Sequence, residues 1–210
     1  MFESTKKETL FGTPFVRIKV ADAADLNRGL LDEGARLRAL DGGVQKSNKG
    51  GWHSQGNLFD NPNPSVQTLR DAALQAIYSA THSIGSKADL DTLKLKLTGW
   101  MNANPRGGLN APHTHPGAQW SGVYYVSLPK ADTGNSGLIE FLDPRSDLPN
   151  WRILRAKPFR PKRKIRPTAG ELILFPSYLV HWVYPNEIDE DRITIAFNGT
   201  FSKARKASGA

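Results

Sequence analysis

The amino-acid sequence predicts a mainly β protein, a β-sandwich or jelly roll, with α-helices at its N-terminal end. After residue 90, short segments rich in β-prone residues follow one another, and Asn, Asp, Gly, Pro and Ser separate them. Before residue 90, two segments instead place their apolar residues at helical spacing. With 210 residues and 39% hydrophobic content, the chain is long enough to fill one core.

The N-terminal part contains one predicted strand and two predicted helices. Apolar and basic residues alternate over residues 15–20, which is typical of a strand. Leucines at near-helical spacing predict a helix over residues 22–40, with Asp22 as its N-cap. A polar, glycine-rich connection over residues 47–64 leads to a second helix over about residues 65–83. We expect these helices to buttress a sheet rather than to form a separate domain.

The C-terminal part begins with the strongest strand pattern of the chain. Leucine alternates with lysine or threonine over residues 93–98, and this pattern leaves one polar face. Further strands are predicted at residues 119–128, 137–142, 164–167, 171–175, 179–184 and 192–201. We therefore expect a single domain over residues 1–210, with a strand and helices in 1–90, a jelly-roll core in 91–201 and a basic tail in 202–210.

Cysteine usage and hydropathy restrict the chemistry and the location of the protein. The chain has no cysteine, so disulfides, thiolate metal ligands and cysteine nucleophiles are excluded. Any metal must therefore be held by imidazole and oxygen. No apolar segment reaches the roughly 18 residues of a membrane span, and the N-terminus lacks the apolar core of a signal peptide. These features predict a cytoplasmic protein with no membrane partner.

The formal net charge of +8 is concentrated in residues 152–166 and in the tail. The prolines within residues 152–166 indicate an exposed loop. A solvated surface loop is the interpretation that we favour over a nucleic-acid site, because a basic run is only weak evidence for either. A third interpretation is an electrostatic collar that attracts an anionic substrate or cosubstrate. The sequence leaves the role of this segment open among the three.

Three of the five histidines lie in two β-prone segments, residues 110–126 and 175–185. His113 and His115 are one residue apart, so on an extended chain their side chains point to the same side. The prolines that flank them favour the rim of a sheet. A neighbouring strand that carries His181 completes a predicted metal site of His113, His115 and His181. Imidazole favours iron, zinc, copper or nickel over magnesium or calcium.

Each of these histidines also has a simpler explanation. A lone histidine on an apolar strand is more often a hydrogen-bonded core residue, and this applies to His181 taken alone. The spaced pair shifts the interpretation towards a metal. Asp143 and Glu140 remain alternatives to His115 as the third ligand if their strand reaches the site. His53, in a glycine-rich loop, could approach a pocket.

Four segments in a fixed order resemble the Fe(II)- and 2-oxoglutarate-dependent oxygenases, especially the prolyl-hydroxylase-like group and its bacterial and phage relatives. The segments are HTH (113–115), SGVYYV (121–126), GELILFPSYLVHWVYP (170–185) and RIT (192–194). The resemblance spans about residues 93–201, and the segment GGWHSQGNLF also resembles the N-terminal part of that group. It implies a double-stranded β-helix, a cupin-like jelly roll, with Fe(II) and 2-oxoglutarate as cofactor and cosubstrate.

The resemblance also assigns expected roles to individual residues. His113 and His181 match the two metal histidines of the family, whereas His115 stands where most relatives have a carboxylate. Neutral imidazole at this position raises the net charge of the site by one unit and should favour an anionic cosubstrate. Arg192 stands where relatives place the cation that binds the distal carboxylate of 2-oxoglutarate, and Thr194 would add a hydroxyl donor on the same side. A salt bridge with a nearby acidic residue is the structural alternative for Arg192.

The remaining expected cosubstrate contacts are a tyrosine and three asparagines. Tyr124 matches the first tyrosine of the relatives' strand, so it is the predicted carboxylate contact, and Tyr125 is expected to face the other way. Core packing is the alternative for both tyrosines. Asn102, Asn110 and Asn198 are further candidates for binding the cosubstrate or orienting a metal ligand, with turn or edge-strand roles as the alternative.

These residues predict a non-haem Fe(II)- and 2-oxoglutarate-dependent dioxygenase. It would hydroxylate a small-molecule or peptidyl substrate and release succinate and CO2. One alternative is a cupin-like three-histidine metalloenzyme that does not use 2-oxoglutarate, and another is a non-catalytic basic module that binds nucleic acid. The sequence leaves the substrate and the oligomeric state open, because variable loops supply substrate contacts in such folds.

Overall fold

Two antiparallel β-sheets face each other in the computed structural model, which describes residues 6, 11–130, 134–145 and 151–203. The larger sheet contains, in spatial order, β1 (Val16–Lys19), β9 (Glu171–Pro176), β6 (Trp120–Ser127), β11 (Arg192–Lys203), β4 (Leu93–Asn104) and β3 (Trp52–His53). The smaller sheet contains β2 (Asn48–Lys49), β5 (Leu109–His113), β10 (His181–Val183), β7 (Ile139–Leu142) and β8 (Lys162–Ile165). The predicted mainly β jelly-roll fold is confirmed.

Strand β9 separates the two cores of the protein. Its side chains alternate, so that Leu172 and Leu174 pack with the helices while Ile173 and Phe175 pack between the sheets. Both faces are buried, which explains why the sequence ELILFP shows a continuous apolar run instead of alternation. The core between the sheets is the one that adjoins the histidines.

The two long helices cover the outer face of the larger sheet. Helix α1 (Ala23–Leu40) buries Leu26 and Leu30, and helix α2 (Pro64–Ser83) buries Leu69 and Ile77 in the same core. The predicted buttressing role is confirmed by this packing. A third helix, α3 (Trp151–Leu154), has a single turn. None of the helices in the described ranges is long and apolar enough to cross a membrane.

The predicted N-cap of α1 needs a correction. Asp22 does lie at the N-cap of α1, but its backbone is left-handed, with φ 49°, and its side chain makes no capping hydrogen bond. By contrast, the side chain of Asn63 accepts hydrogen bonds from the backbone N–H groups of Ser65 and Val66, and Pro64 occupies the first helical position.

The strand predictions missed the shortest elements. Strands β2 and β3 fall in the glycine-rich connection that was predicted to be irregular, and β8 begins two residues before the predicted strand at 164–167. Strands of two residues have no detectable periodicity of their own, because their hydrogen-bond partners in β4 and β5 define them. Most of the predicted basic tail lies outside the described residues.

Candidate active site

Three imidazole rings meet on the inner face of the smaller sheet. His113, the last residue of β5, is the register partner of His181, the first residue of β10. Directly opposed residues of an antiparallel pair have their side chains on the same face, and the ring centres lie 4.3 Å apart. His115 lies two residues beyond β5, with its ring centre 4.8 Å from His113 and 5.2 Å from His181.

Hydrogen bonds to the backbone orient two of the three rings. Nδ1 of His113 lies 2.7 Å from the carbonyl oxygen of Ala111, and Nδ1 of His181 lies 2.9 Å from that of Leu179. A carbonyl only accepts, so each Nδ1 carries the proton and Nε2 keeps its lone pair. The loop that carries His115 is fixed by a backbone hydrogen bond from its N–H to the carbonyl of Ser177.

Burial keeps the three imidazoles neutral. Desolvation lowers the pKa of His181 to about 3 and that of His115 to about 4, and the neighbouring His113 contributes to both shifts. Desolvation also lowers the pKa of His113. Neutral imidazole is the form that binds a metal, and one ligand atom from each ring falls within 4.8 Å of the others. The donor set therefore fits a divalent transition metal.

Neither carboxylate alternative for the third ligand reaches this cluster. Glu140 faces the outer side of the smaller sheet, where the Tyr184 hydroxyl donates to it at 2.7 Å and the Lys162 ammonium lies at 3.2 Å. Asp143 accepts hydrogen bonds from the side chain of Arg145 at 2.9 and 2.6 Å. The period-two alternation of β7 explains the position of Glu140, because its neighbours Ile139 and Phe141 take the inner positions.

A small cavity of about 40 Å³ extends from the histidines towards the larger sheet. Apolar side chains and backbone form most of its walls, and a few polar groups point into it. The polar residues that line it besides the histidines are Ser47, Asn102, Asn110, Arg192 and Thr194. Five residues on β4, β5 and β11 were predicted to contact the cosubstrate, and four of them therefore line the same cavity as the histidines.

Arg192 is the unusual charged residue of this cavity. Its side chain is almost fully buried, and its hydrogen bond to the backbone of the described residues runs from Nε to the carbonyl of Gly137, at 3.2 Å. Its Nη2 has no partner in the described part of the chain, and no carboxylate pairs with it there. The salt bridge to nearby acidic residues, which was the alternative for Arg192, is absent from these residues. Burial lowers the pKa of its guanidinium, but arginine stays protonated in proteins.

The structure corrects the choice between the two adjacent tyrosines. Tyr124 faces the helices, and its hydroxyl donates a hydrogen bond of 2.7 Å to Asn27 of α1. Tyr125 faces inwards, opposite Thr194 in the register of β6 and β11, and its ring centre lies 5.3 Å from the guanidinium carbon of Arg192. Its buried hydroxyl has no partner in the described ranges, and burial raises its pKa, so it remains an O–H donor.

The three asparagines have different positions. Asn102, the register partner of Thr194, lines the cavity, and its Oδ1 has no partner among the residues that the structure describes. Asn110 also lines the cavity but accepts a hydrogen bond of 3.0 Å from Asn104. Asn198 does not line it and accepts a hydrogen bond of 2.8 Å from Ser121. Its role in binding the cosubstrate or orienting a metal ligand stays a prediction.

The sequence prediction missed Trp100, an aromatic side chain near the metal cluster, whereas it did expect that His53 could approach a pocket. Trp100 of β4 lines the cavity, and its ring centre lies 5.6 Å from that of His115. His53 of β3 stacks on Trp100, with 5.6 Å between ring centres and an interplanar angle of 9°, and does not line the cavity. The even spacing of Trp100 and Asn102 on a strand was a usable signal, because residues two apart share a face.

A jelly roll with three neutral imidazoles and a buried, unpaired arginine around one cavity has the features of a metal-dependent enzyme that binds an anionic organic molecule. Residues 98–198 match a family model described as "Putative 2OG-Fe(II) oxygenase", where 2OG denotes 2-oxoglutarate. The match covers just under half of the chain, and over this stretch the chain is similar to the Fe(II)- and 2-oxoglutarate-dependent oxygenases. This similarity and the three-histidine cluster support the predictions of an enzyme, of a dioxygenase and of Fe(II) and 2-oxoglutarate as its cofactors.

Solved structures with the same fold include two prolyl hydroxylases and a protein solved with bound 2-oxoglutarate. A prolyl-4-hydroxylase from Pseudomonas putida has 16% sequence identity and a TM-score of 0.62, covering 91% of this chain and 93% of its own. A prolyl hydroxylase from Trichoplax adhaerens has 14% identity and a TM-score of 0.62, covering 89% and 83%. HygX from Streptomyces hygroscopicus, solved with nickel, 2-oxoglutarate and hygromycin B, has 14% identity and a TM-score of 0.61, covering 90% and 83%.

These similarities lie at the level of the fold. No curated protein sequence matches the chain significantly. At identities of 14–16%, the structural relatives show the architecture and leave the residue roles to be argued from the site itself.

Proposed function

We propose that the protein hydroxylates an organic substrate and converts 2-oxoglutarate to succinate and CO2, with His113, His115 and His181 as the metal ligands. In this reaction dioxygen delivers one oxygen atom to the substrate C–H bond and the other to succinate, while the bond between C1 and C2 of 2-oxoglutarate breaks. The single observation that supports this assignment most strongly is Arg192, a buried cation without a counter-charge beside three neutral imidazoles.

Energetics explains why Arg192 needs an anionic ligand. A buried charge with neither a counter-ion nor a full set of hydrogen bonds costs several kcal/mol in real proteins. Within the described residues, Arg192 has one carbonyl contact and an aromatic ring, which offset only part of that cost. A carboxylate placed against its guanidinium would supply the missing charge and two parallel hydrogen bonds.

Neighbouring polar groups can complete the recognition of the cosubstrate. The Tyr125 hydroxyl stays protonated and can donate to a carboxylate that Arg192 already holds. The Thr194 hydroxyl lies on the same strand face as Arg192, two residues further along β11. We assign the distal carboxylate of 2-oxoglutarate to these three residues, and the amide of Asn102 to the part of the molecule nearer the metal.

The histidines supply the other half of the site. Fe(II) bound by them supplies the redox chemistry, because a three-ligand set leaves coordination positions for 2-oxoglutarate and dioxygen. The backbone carbonyls of Ala111 and Leu179 fix the tautomers so that Nε2 is the donor atom on His113 and His181. Three neutral ligands leave the full charge of the ion in the site, which adds to the attraction that Arg192 exerts on a dianion.

The direct test is anaerobic binding of 2-oxoglutarate to the iron-loaded protein. We expect the metal-to-ligand absorption of the chelate in the wild type. In Arg192→Ala the affinity should fall about 1000-fold, since removing one partner of a buried, hydrogen-bonded charge pair costs about 2–5 kcal/mol. Arg70→Ala, on the exposed side of α2, is the matched control and should bind normally. Wild-type protein that contains iron but shows no chelate absorption would contradict the proposal.

A further inference from the structure

A second and larger cavity, of about 350 Å³, lies on the other side of Phe141 from the histidines. It opens between β8, at the edge of the smaller sheet, and the segment around Phe15 that precedes β1 of the larger sheet. Its volume falls in the range of about 300–1,000 Å³ that is typical of small-molecule sites. The metal cavity and this cavity share no lining residue.

The walls of this second cavity carry an excess of positive charge. Its cationic lining residues all come from the basic segment, and they are Lys157, Arg160, Lys162 and Arg163. The acidic residue that lines it in the described part of the chain, Asp143, is held by Arg145 through two side-chain hydrogen bonds. Lys157 and Arg163 form no ion pair with any described residue. A ligand in this cavity would therefore meet unneutralised cations.

Aromatic packing holds Arg163 in place. Its guanidinium carbon lies 5.3 Å above the centre of the Phe15 ring, and Phe15 packs edge-on against Phe141 at 5.2 Å. A guanidinium that stacks on an aromatic face keeps its N–H groups in the ring plane free for a planar or tetrahedral oxyanion. The cavity thus combines an apolar floor with a preorganised anion-binding group.

The register of the smaller sheet relates this arginine to the metal cluster. His181 pairs with Phe141, and Phe141 pairs with Arg163, so all three side chains lie in one row on the inner face. Neighbouring strands are about 4.8 Å apart, so the backbone of Arg163 lies about 10 Å from that of His181. The Phe141 ring separates the two sites, with its centre 5.8 Å from that of His181.

Building on the function proposed above, we propose that this cavity binds an oxyanion group of the substrate, a phosphate or a carboxylate. The substrate would be a small organic molecule with an apolar body that lies along Phe15 and Phe141. Its anionic group would contact Arg163 and Lys157, and its reactive carbon would reach past Phe141 towards the metal. This assignment gives the basic segment a role in substrate selection.

The positions of the other cations favour a small ligand over a nucleic acid. Lys164 lies on the outer face of the smaller sheet, 3.8 Å from Glu140. Arg166 donates a hydrogen bond of 2.8 Å to the backbone carbonyl of Gly134. The cations of the segment therefore point in different directions and do not form one continuous track for a polyanionic backbone.

The first test measures binding of three probes to the metal-free protein by calorimetry. Phenyl phosphate and benzoate carry an oxyanion on an apolar ring, and phenol is the neutral control. We expect the two anions to bind and phenol not to bind. Arg163→Gln should weaken the anions about tenfold, because a hydrogen bond to a charged group contributes about 1.5–3 kcal/mol. Lys157→Gln, at an exposed position, should act in the same direction, and Lys94→Gln in β4 should have no effect.

Three outcomes of this test would overturn the proposal. The first is equal binding of phenol and phenyl phosphate, and the second is equal anion binding by the wild type, Arg163→Gln and Lys157→Gln. The third is loss of anion binding in Arg192→Ala, which would place the probe in the 2-oxoglutarate site. A single-stranded oligonucleotide that binds more tightly than phenyl phosphate, and weakens equally in Lys164→Gln and Arg163→Gln, would identify a nucleic-acid surface instead.

A second test asks whether the bound anion lies beside the metal. Co(II) is loaded into the site, its content is measured, and the relaxation of the phosphorus nucleus of phenyl phosphate is recorded. We expect the relaxation rate to indicate a distance of about 10 Å between phosphorus and cobalt. This value corresponds to the two strand spacings between β10 and β8. Binding without paramagnetic relaxation in cobalt-loaded protein would overturn the substrate role alone. Protein that takes up no cobalt would overturn the metal site and, with it, the substrate role.

Discussion

Two arginines of the larger sheet differ in how their charge is satisfied. Arg17 of β1 is half-exposed and pairs with the buried Glu171 of β9 through both Nε and Nη2. Arg192 of β11 is buried and, within the described part of the chain, has no carboxylate. The protein thus neutralises Arg17 with its own residues, whereas Arg192 has no counter-charge among the described ones.

Two further pairs of polar side chains show the same contrast between a group with an internal partner and a group without one. Asp143 is bound by Arg145, whereas His115 has no hydrogen-bond partner for its ring in the described ranges. The hydroxyl of Tyr124 is bound to Asn27, whereas that of Tyr125 is unpartnered among those residues. In these three pairs of side chains, the group with an internal partner lies outside the metal cavity, and the group without one lies in the cavity or beside it.

The largest expected difference is between Arg17→Ala and Arg192→Ala. Removing Arg17 leaves the Glu171 carboxylate buried with only the backbone N–H of Thr168 as a described partner, so unfolding should become easier by about 3 kcal/mol. The affinity for 2-oxoglutarate should not change. Removing Arg192 should weaken cosubstrate binding about 1000-fold without lowering the melting temperature, since an unpaired buried charge is lost. Thermal unfolding measures the stability of both variants, and chelate titration measures their affinity for 2-oxoglutarate. Equal loss of stability in the two variants would refute this contrast.

The second difference concerns the third metal ligand. We expect His115→Ala to weaken metal binding at least about 100-fold, because even partners that only orient metal ligands contribute 10–100-fold. Asp143→Ala should keep the wild-type metal affinity, since Arg145 and not the metal cluster holds that carboxylate. Competition with a coloured chelator measures both affinities. Loss of metal from Asp143→Ala alone would restore the carboxylate alternative.

The smallest difference is between the two tyrosines. Tyr125→Phe removes a donor beside Arg192 and should weaken 2-oxoglutarate about fivefold, as expected for a hydrogen bond of about 1 kcal/mol. Tyr124→Phe should instead lower the free energy of unfolding by a similar amount, through the lost hydrogen bond to Asn27, and leave binding intact. Titration with 2-oxoglutarate and denaturant unfolding are measured on both variants. If Tyr124 were the cosubstrate contact, Tyr124→Phe and not Tyr125→Phe would have the weaker affinity for 2-oxoglutarate.

Some residues of this site could be predicted from the sequence and others could not. A residue was predictable where its spacing from other residues in the sequence determines which side chains it meets. His113 and His181 belong to adjacent strands, and their segments are distinctive enough to be identified from sequence. The choice between Tyr124 and Tyr125 depends instead on which face of β6 is turned inwards. That orientation follows from the register between β6 and β11, which has an irregularity between Ile193 and Thr194. Period-two patterns identify faces but not which face is internal when both are buried.

The second cavity was less predictable for a similar reason. The basic segment is evident in the sequence, but alternation along β8 sends Arg163 inwards and Lys164 outwards to Glu140. Only the pairing of β8 with β7 shows which cation joins Phe141. Similarly, Trp100 becomes a neighbour of His115, and His53 a neighbour of Trp100, through contacts between separate segments of the chain.

The two-sided burial of β9 has a consequence for how the protein can be divided. The family match covers residues 98–198 and leaves out the two long helices, α1 and α2. A fragment trimmed to those residues would expose Leu172, Leu174 and the rest of that sheet face to water, an apolar surface of the kind that drives aggregation. The residues of the family match are therefore fewer than the residues that the fold needs. The two long helices are required because they cover an apolar face of the larger sheet that would otherwise be exposed to water.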